Sequence, residues 1–167
     1  LEEGHFSERG LIAVMPKIMS YLAAPERIIK GLQVSERYIQ EQGITLIANP
    51  GAMYDPGIQQ AKNYVFGDEE TPFKSLYIPS ALYMLERIDR DSLLEETNDL
   101  LSWGSGRVEF IPKHIKLFSD GAMYSQNMVL RDGYLDGHQG VWLMEKDVFK
   151  QSIPDNILEG WKPQYRS

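Results

Sequence analysis

Segments with the period of a helix alternate with short apolar runs along most of this chain, and that alternation constrains its fold more than any other feature. Pro25 is a good first-turn residue, and the segment after it places Ile28, Leu32, Tyr38 and Ile39 close to one face before Gly43 supplies a stop. Ile44-Thr45-Leu46-Ile47-Ala48 follows at once. This run is nearly continuous rather than alternating, which predicts a strand covered on both faces and ended by Asn49-Pro50-Gly51. Asp55-Pro56 then reads as cap and first turn of a helix carrying Ile58, Ala61 and Val65, ahead of a second strand over 73–82. Asp91 can cap a third helix through Leu93, Leu94, Leu100 and Leu101, broken at Gly104-Ser105-Gly106. Residues 107–111 and 114–118 read as two extended runs joined at Pro112, and a last helix over 145–153 stops at Pro154. Strands and helices in this order predict a parallel α/β sheet with right-handed crossovers.

Size bounds that architecture. The chain has 167 residues with no repeat or linker-like tract, so residues 1–167 are expected to form one domain. A complete eight-stranded (β/α) barrel needs roughly 200 to 250 residues. Three principal strands make a small parallel sheet, and its unpaired edges call for another segment, a partner chain or self-association. The absence of an initiator Met suggests an excised segment.

Composition excludes several function classes. Seventeen basic against twenty-four acidic side chains give a formal charge of −7, the wrong sign for binding nucleic acid or an anionic membrane. With no cysteine, disulfides, thiolate metal sites and cysteine nucleophiles are ruled out. No apolar run approaches the ~18 residues that span a bilayer, and Leu1-Glu2-Glu3-Gly4-His5 lacks the character of a signal peptide. The expectation is a cytoplasmic protein acting on a small molecule. No Gly-x-Ser-x-Gly elbow, P-loop or Gly-x-Gly-x-x-Gly run is present.

The most informative stretch runs from Lys113 to Ser125, KHIKLFSDGAMYS. In a strand, Ile115 and Leu117 share one face, and His114, Lys116 and Phe118 share the other. With the aliphatic pair turned to the covering helices, Lys116 points to the opposite, interior face, where an ammonium must be paired, neutralised or modified. The plain alternative is an edge lysine that snorkels to water.

Ile115-Lys116-Leu117-Phe118-Ser119-Asp120-Gly121-Ala122 resembles the fourth-strand end of the amidohydrolase superfamily, specifically its third family of metal-dependent C–N hydrolases. The stretch from His5 to Leu11 with Pro16, then Pro25-Glu26-Arg27 and Gly43-Ile44-Thr45, resembles the lead into that family's second barrel strand. Tyr134-Leu135-Asp136 and Gly140-Val141-Trp142 resemble the segment after its fourth strand. The resemblance reaches to about Phe149. It implies α/β architecture as part of a TIM-type barrel, about strands two to four, with an open parallel sheet. It also implies a divalent metal, zinc by family habit, a small amide-like substrate, and a carboxylated lysine as metal ligand at Lys116. The amine itself could carry that role, because a desolvated neutral lysine adds carbon dioxide and the carbamate is a hard oxygen ligand. A metal-bound water would then attack the amide-like carbonyl.

Departures from the family pattern matter equally. Its paired first-strand histidines would lie before Leu1, and its later histidines and aspartate after Ser167. The three histidines here, His5, His114 and His138, form no metal-ligand spacing, so the chain alone is expected to bind no metal stably and to be inert. Asp120 suits a turn with Gly121, and four strand residues span about 13 Å, so it joins Lys116 only if the chain bends back after Phe118. Tyr54, Asp120, Tyr124 and His138 are candidate substrate-lining residues; for the two tyrosines, local packing with Met53 and Met123 competes with that role. A different class of function is also open: a non-catalytic α/β module that binds or self-associates through its sheet edges.

Overall fold

A computed structural model describes residues 9–151. They form two compact units, 24–117 and 9–23 with 118–151.

In the first unit, Pro25 occupies the first turn of helix α2 (Pro25–Glu41), and Gly43 leaves the helix at φ +64°, a conformation that costs glycine little. Ile28, Leu32 and Ile39 are half-buried, whereas Tyr38 is 63% exposed and lies off the packed face. Strand β1 (Leu46–Ala52) follows. It runs through Asn49-Pro50-Gly51 rather than ending there, and its register shifts between Pro50 and Ala52. Proline is tolerated because β1 pairs on one side only, and Gly51 takes φ 125° at the irregularity. Helix α3 (Pro56–Phe66) is capped as expected: Ile58 N–H donates to Asp55 Oδ1 at 3.0 Å.

Strand β2 (Lys74–Pro79) pairs in parallel with β1 and with β3 (Val108–Phe110), giving the order β1-β2-β3. Between β2 and β3 lie the short helix α4 (Ala81–Met84) and α5 (Leu93–Asp99), the latter flanked by 3-10 turns at Arg90–Ser92 and Leu100–Trp103. Asp91 sits inside the first of these turns and caps nothing. The 114–118 run is not a strand; only Lys116 rejoins the sheet, in a parallel bridge to Ser80.

Helices cover one face of this sheet. Val65, Phe66 and Leu93 from helices pack with Tyr77, Val108 and Phe110 from strands, and Ile29, Leu32, Ile39 and Ile47 close around them. Among the described residues the other face is uncovered along β1, where Leu46 is 56% exposed and Ala48 and Pro50 are also exposed. Leu76 and Ile78 of β2 are half-buried there, beside a surface ion pair from Lys74 Nζ to Glu109 Oε1 at 2.7 Å. The continuous apolar run at 44–48 therefore overstates burial of β1: a hydrophobic strand shows capacity for two covers, not their presence.

The second unit contains helix α1 (Arg9–Leu22) and an irregular 118–151 segment ending in α6 (Lys146–Gln151). Helix α1 is not legible in the sequence, because Pro16 inside it reads as a breaker. The irregular segment is held by an antiparallel bridge between Asp120 and Trp142, with Gly121 N–H donating to Val141 O and Leu143 N–H to Ser119 O. The expected helix over 145–153 is seen to Gln151; its last two residues and all beyond lie outside the described residues, as does His5. No helix among the described residues is long and apolar enough to cross a membrane.

Candidate functional site

The carboxyl ends of parallel strands are where backbone dipoles and loop side chains converge, and Lys116 is held at that end. Its N–H donates to Pro79 O at 2.8 Å, and its carbonyl accepts from Ala81 N–H at 3.0 Å. These bonds fix the backbone of Lys116 against the end of β2, one residue past the strand. Ladder partners share a face, as Ser75 with Val108 and Tyr77 with Phe110 do on the helix-covered side. By the same alternation Ser80 and Lys116 belong to the opposite side, that of Leu76 and Ile78. Lys116 is half-buried. Ser80 is fully buried, and its Oγ has no hydrogen-bond partner among the described residues.

Tyr54 follows β1 and turns toward α5. Its hydroxyl donates to Glu96 Oε2 at 2.7 Å, and its ring stacks on Trp103 with centroids 5.4 Å apart. The bond to Glu96, helped by burial, raises the phenol above its ordinary value. Arg87 ties the same loop down, donating to Tyr54 O at 2.8 Å and lying 3.7 Å from Asp55 Oδ2. An open cleft of about 450 Å³ lies beside this group, walled by Arg87, Ile88, Asp89, Ser92 and Glu96 among others. Tyr54 thus has a packing role next to a cleft.

In the second unit, both oxygens of Asp120 are occupied. Ser119 Oγ donates to Oδ1 at 2.7 Å, and Val129 N–H donates to Oδ2 at 2.8 Å. The carboxylate therefore organises its own loop. Tyr124 is 92% exposed. His138 stacks on Tyr134 at 4.2 Å between centroids, with Nδ1 2.5 Å from Asp136 Oδ1 and Nε2 2.9 Å from Gln126 O. Two acceptors facing both ring nitrogens favour the imidazolium, in which each nitrogen carries a proton. The Gln126 carbonyl foremost, then Asp136, raises the His138 pKa, and the bonds from His138 hold the Asp136 carboxyl below its usual range. His114 is exposed, with Nδ1 2.9 Å from Pro112 O.

One unusual amine carries no mark in the sequence. Lys62, on α3, sits with Nζ 4.2 Å above the Tyr77 ring, and burial lowers its pKa to about 8. The helical spacing of Ile58, Ala61 and Val65 marks an apolar face, but nothing in it distinguishes Lys62 from a solvated neighbour.

Among the described residues, no group of three or more His, Asp and Glu side chains could hold a metal ion. No protein-family model matches the chain, and neither the curated proteins nor the solved structures include one similar to it.

Proposed function

We propose that the chain contributes the second to fourth strand units of an amidohydrolase-type (β/α) barrel that hydrolyses non-peptide C–N bonds in small amide-like molecules. The supporting observation is Lys116, anchored through its backbone at the carboxyl end of a sequentially ordered parallel sheet whose described helices cover one face. Strand order without reversal is what successive units of a barrel would give. The chain's own chemistry in this reading lies in that amine. When neutral it adds to carbon dioxide, an N–C bond forms, a proton leaves to water, and the carbamate oxygens become hard donors suited to a divalent metal such as zinc.

The described residues do not by themselves fit a metal, so no step is assigned to one; its remaining ligands would come from outside this stretch. The test is expression of the chain together with its flanking coding sequence, followed by intact-peptide mass spectrometry. A carbon dioxide adduct on Lys116, with loss of amide hydrolysis in Lys116→Ala, supports the reading. Hydrolysis that survives Lys116→Ala overturns it.

The exposed Leu46, Ala48 and Pro50 side of β1 favours a second reading, a self-associating α/β module without chemistry. Concentration-dependent association of the chain as given, together with absence of any adduct, would support that reading over the first.

A further inference from the structure

His138 links the turn in which it sits to a strained residue twelve positions earlier. The turn is closed locally: Tyr134 N–H donates to His138 O at 3.1 Å, and Gly137 N–H donates to Tyr134 O at 2.9 Å. At the other end Gln126 holds φ +56°, a left-handed conformation disfavoured for a residue with a Cβ, so it needs an outside hold. Tyr134 supplies the platform for that hold. Its ring lies parallel to the imidazole within 6°, and its hydroxyl donates to Met128 O at 3.0 Å.

The hold depends on a proton count. Nδ1 lies 2.5 Å from Asp136 Oδ1 and Nε2 lies 2.9 Å from Gln126 O, so both ring nitrogens face acceptors. An imidazolium donates to both; a neutral ring has one N–H and serves only one. The carboxylate is the charged and therefore stronger acceptor, so the remaining proton stays on Nδ1. The Nε2 lone pair then faces the Gln126 carbonyl oxygen, and an attraction becomes a repulsion. Few other groups bear on this titration. The Tyr134 phenol is committed to Met128 O, the Gln126 segment offers a carbonyl, Arg131 and Asp132 pair with each other at 3.0 Å, and both oxygens of Asp120 are taken. Among the described residues Asp136 is the one charged side chain bonded to the ring. The imidazole is 37% exposed, so it exchanges protons with bulk solvent.

We propose that His138 is a pH-operated clasp: doubly protonated it pins the Gln126 backbone to the 134–138 turn, and singly protonated it keeps Asp136, releases Gln126 and opens residues 126–133. The clasp goes beyond the amidohydrolase reading and does not depend on it. Because the Gln126 carbonyl and Asp136 raise the histidine above its ordinary value, release falls on the alkaline side of that value.

Arg131, 91% exposed between the two anchors, supplies the readout, since a protease cuts after it once the local backbone opens. Limited digestion of the chain with trypsin at about pH 6 and about pH 8.5 is scored at Arg131 by mass spectrometry and normalised to the free 126–138 peptide under the same conditions. The normalised rate should be about fivefold higher at the higher pH, the factor that one hydrogen bond of ordinary net worth gives. Asp136→Asn should be cut slowly at both, because a neutral ring can then keep Nε2–H on Gln126 O while Nδ1 accepts from the introduced amide. His138→Phe keeps the stacked ring without either bond and should be cut quickly at both. Equal normalised rates for the parent chain at the two pH values, or a difference that persists in His138→Phe, overturn the clasp.

Discussion

Ser80 and Lys116 are partners in a parallel bridge one residue beyond the end of β2, and the buried hydroxyl of Ser80 has no hydrogen bond among the described residues. A buried donor with no partner carries its desolvation cost, roughly 1 to 3 kcal/mol. Ser80→Ala should therefore be neutral or raise stability by about 1 kcal/mol, because it removes the hydroxyl together with that cost. Urea denaturation of the two proteins decides this; a loss above about 1 kcal/mol would mean that Ser80 makes a bond in solution.

Lys62 gives a pH-dependent prediction whose sign is fixed by its lowered pKa. Between about 8 and the ordinary 10.5 the unfolded chain binds the extra proton, so stability rises with pH across that window, and below it the full penalty applies. A shift of this size corresponds to about 3 kcal/mol at most, less what the ring attraction returns. Lys62→Met should raise stability near pH 7 by about 1 to 3 kcal/mol and flatten the dependence above pH 8. Thermal melts at several pH values check it, and an unchanged slope in the variant would remove Lys62 as its source.

The imidazole of His138 joins Gln126, which holds a left-handed φ of 56°, to Asp136 in the turn just before it. Its raised pKa means that this contribution is complete below the ordinary histidine value and is lost as pH rises through the raised one. Asp136, lowered by the same contacts, contributes above the ordinary carboxylate value and loses its part as pH falls through the lowered one. Hydrogen exchange of the 126–139 loop, corrected for intrinsic rates, should be faster at about pH 8.5 than at about pH 6. Asp136→Asn should bring the His138 titration, followed by proton NMR, back toward the ordinary value.

Two glycines predict opposite outcomes. At Gly106, φ is +56° and an added Cβ would collide with Gly67 O, a backbone atom that cannot simply rotate away. Gly106→Ala should cost about 2 kcal/mol or more. Gly31, inside α2, has nothing within 4 Å of such a Cβ, so Gly31→Ala should stabilise by about 0.5 to 1 kcal/mol. Denaturation midpoints of both variants test the pair.

What the sequence determined by itself was what local chemistry controls: Pro25 starting α2, Gly43 ending it, Asp55 capping α3, and the helix–strand alternation that makes the sheet parallel. Ring closure, side-chain periodicity and a lone capping carboxylate act over a few residues, so they can be read without knowing the fold. Tertiary structure alone decided that among the described residues only one face of β1 is covered, that Lys116 meets Ser80 while its neighbours leave the sheet, and that Lys62 is set over the Tyr77 ring. Each of these depends on which distant segment arrives at a given face, and the free energy of burying an amine or a hydroxyl is set by those neighbours rather than by its own place in the chain.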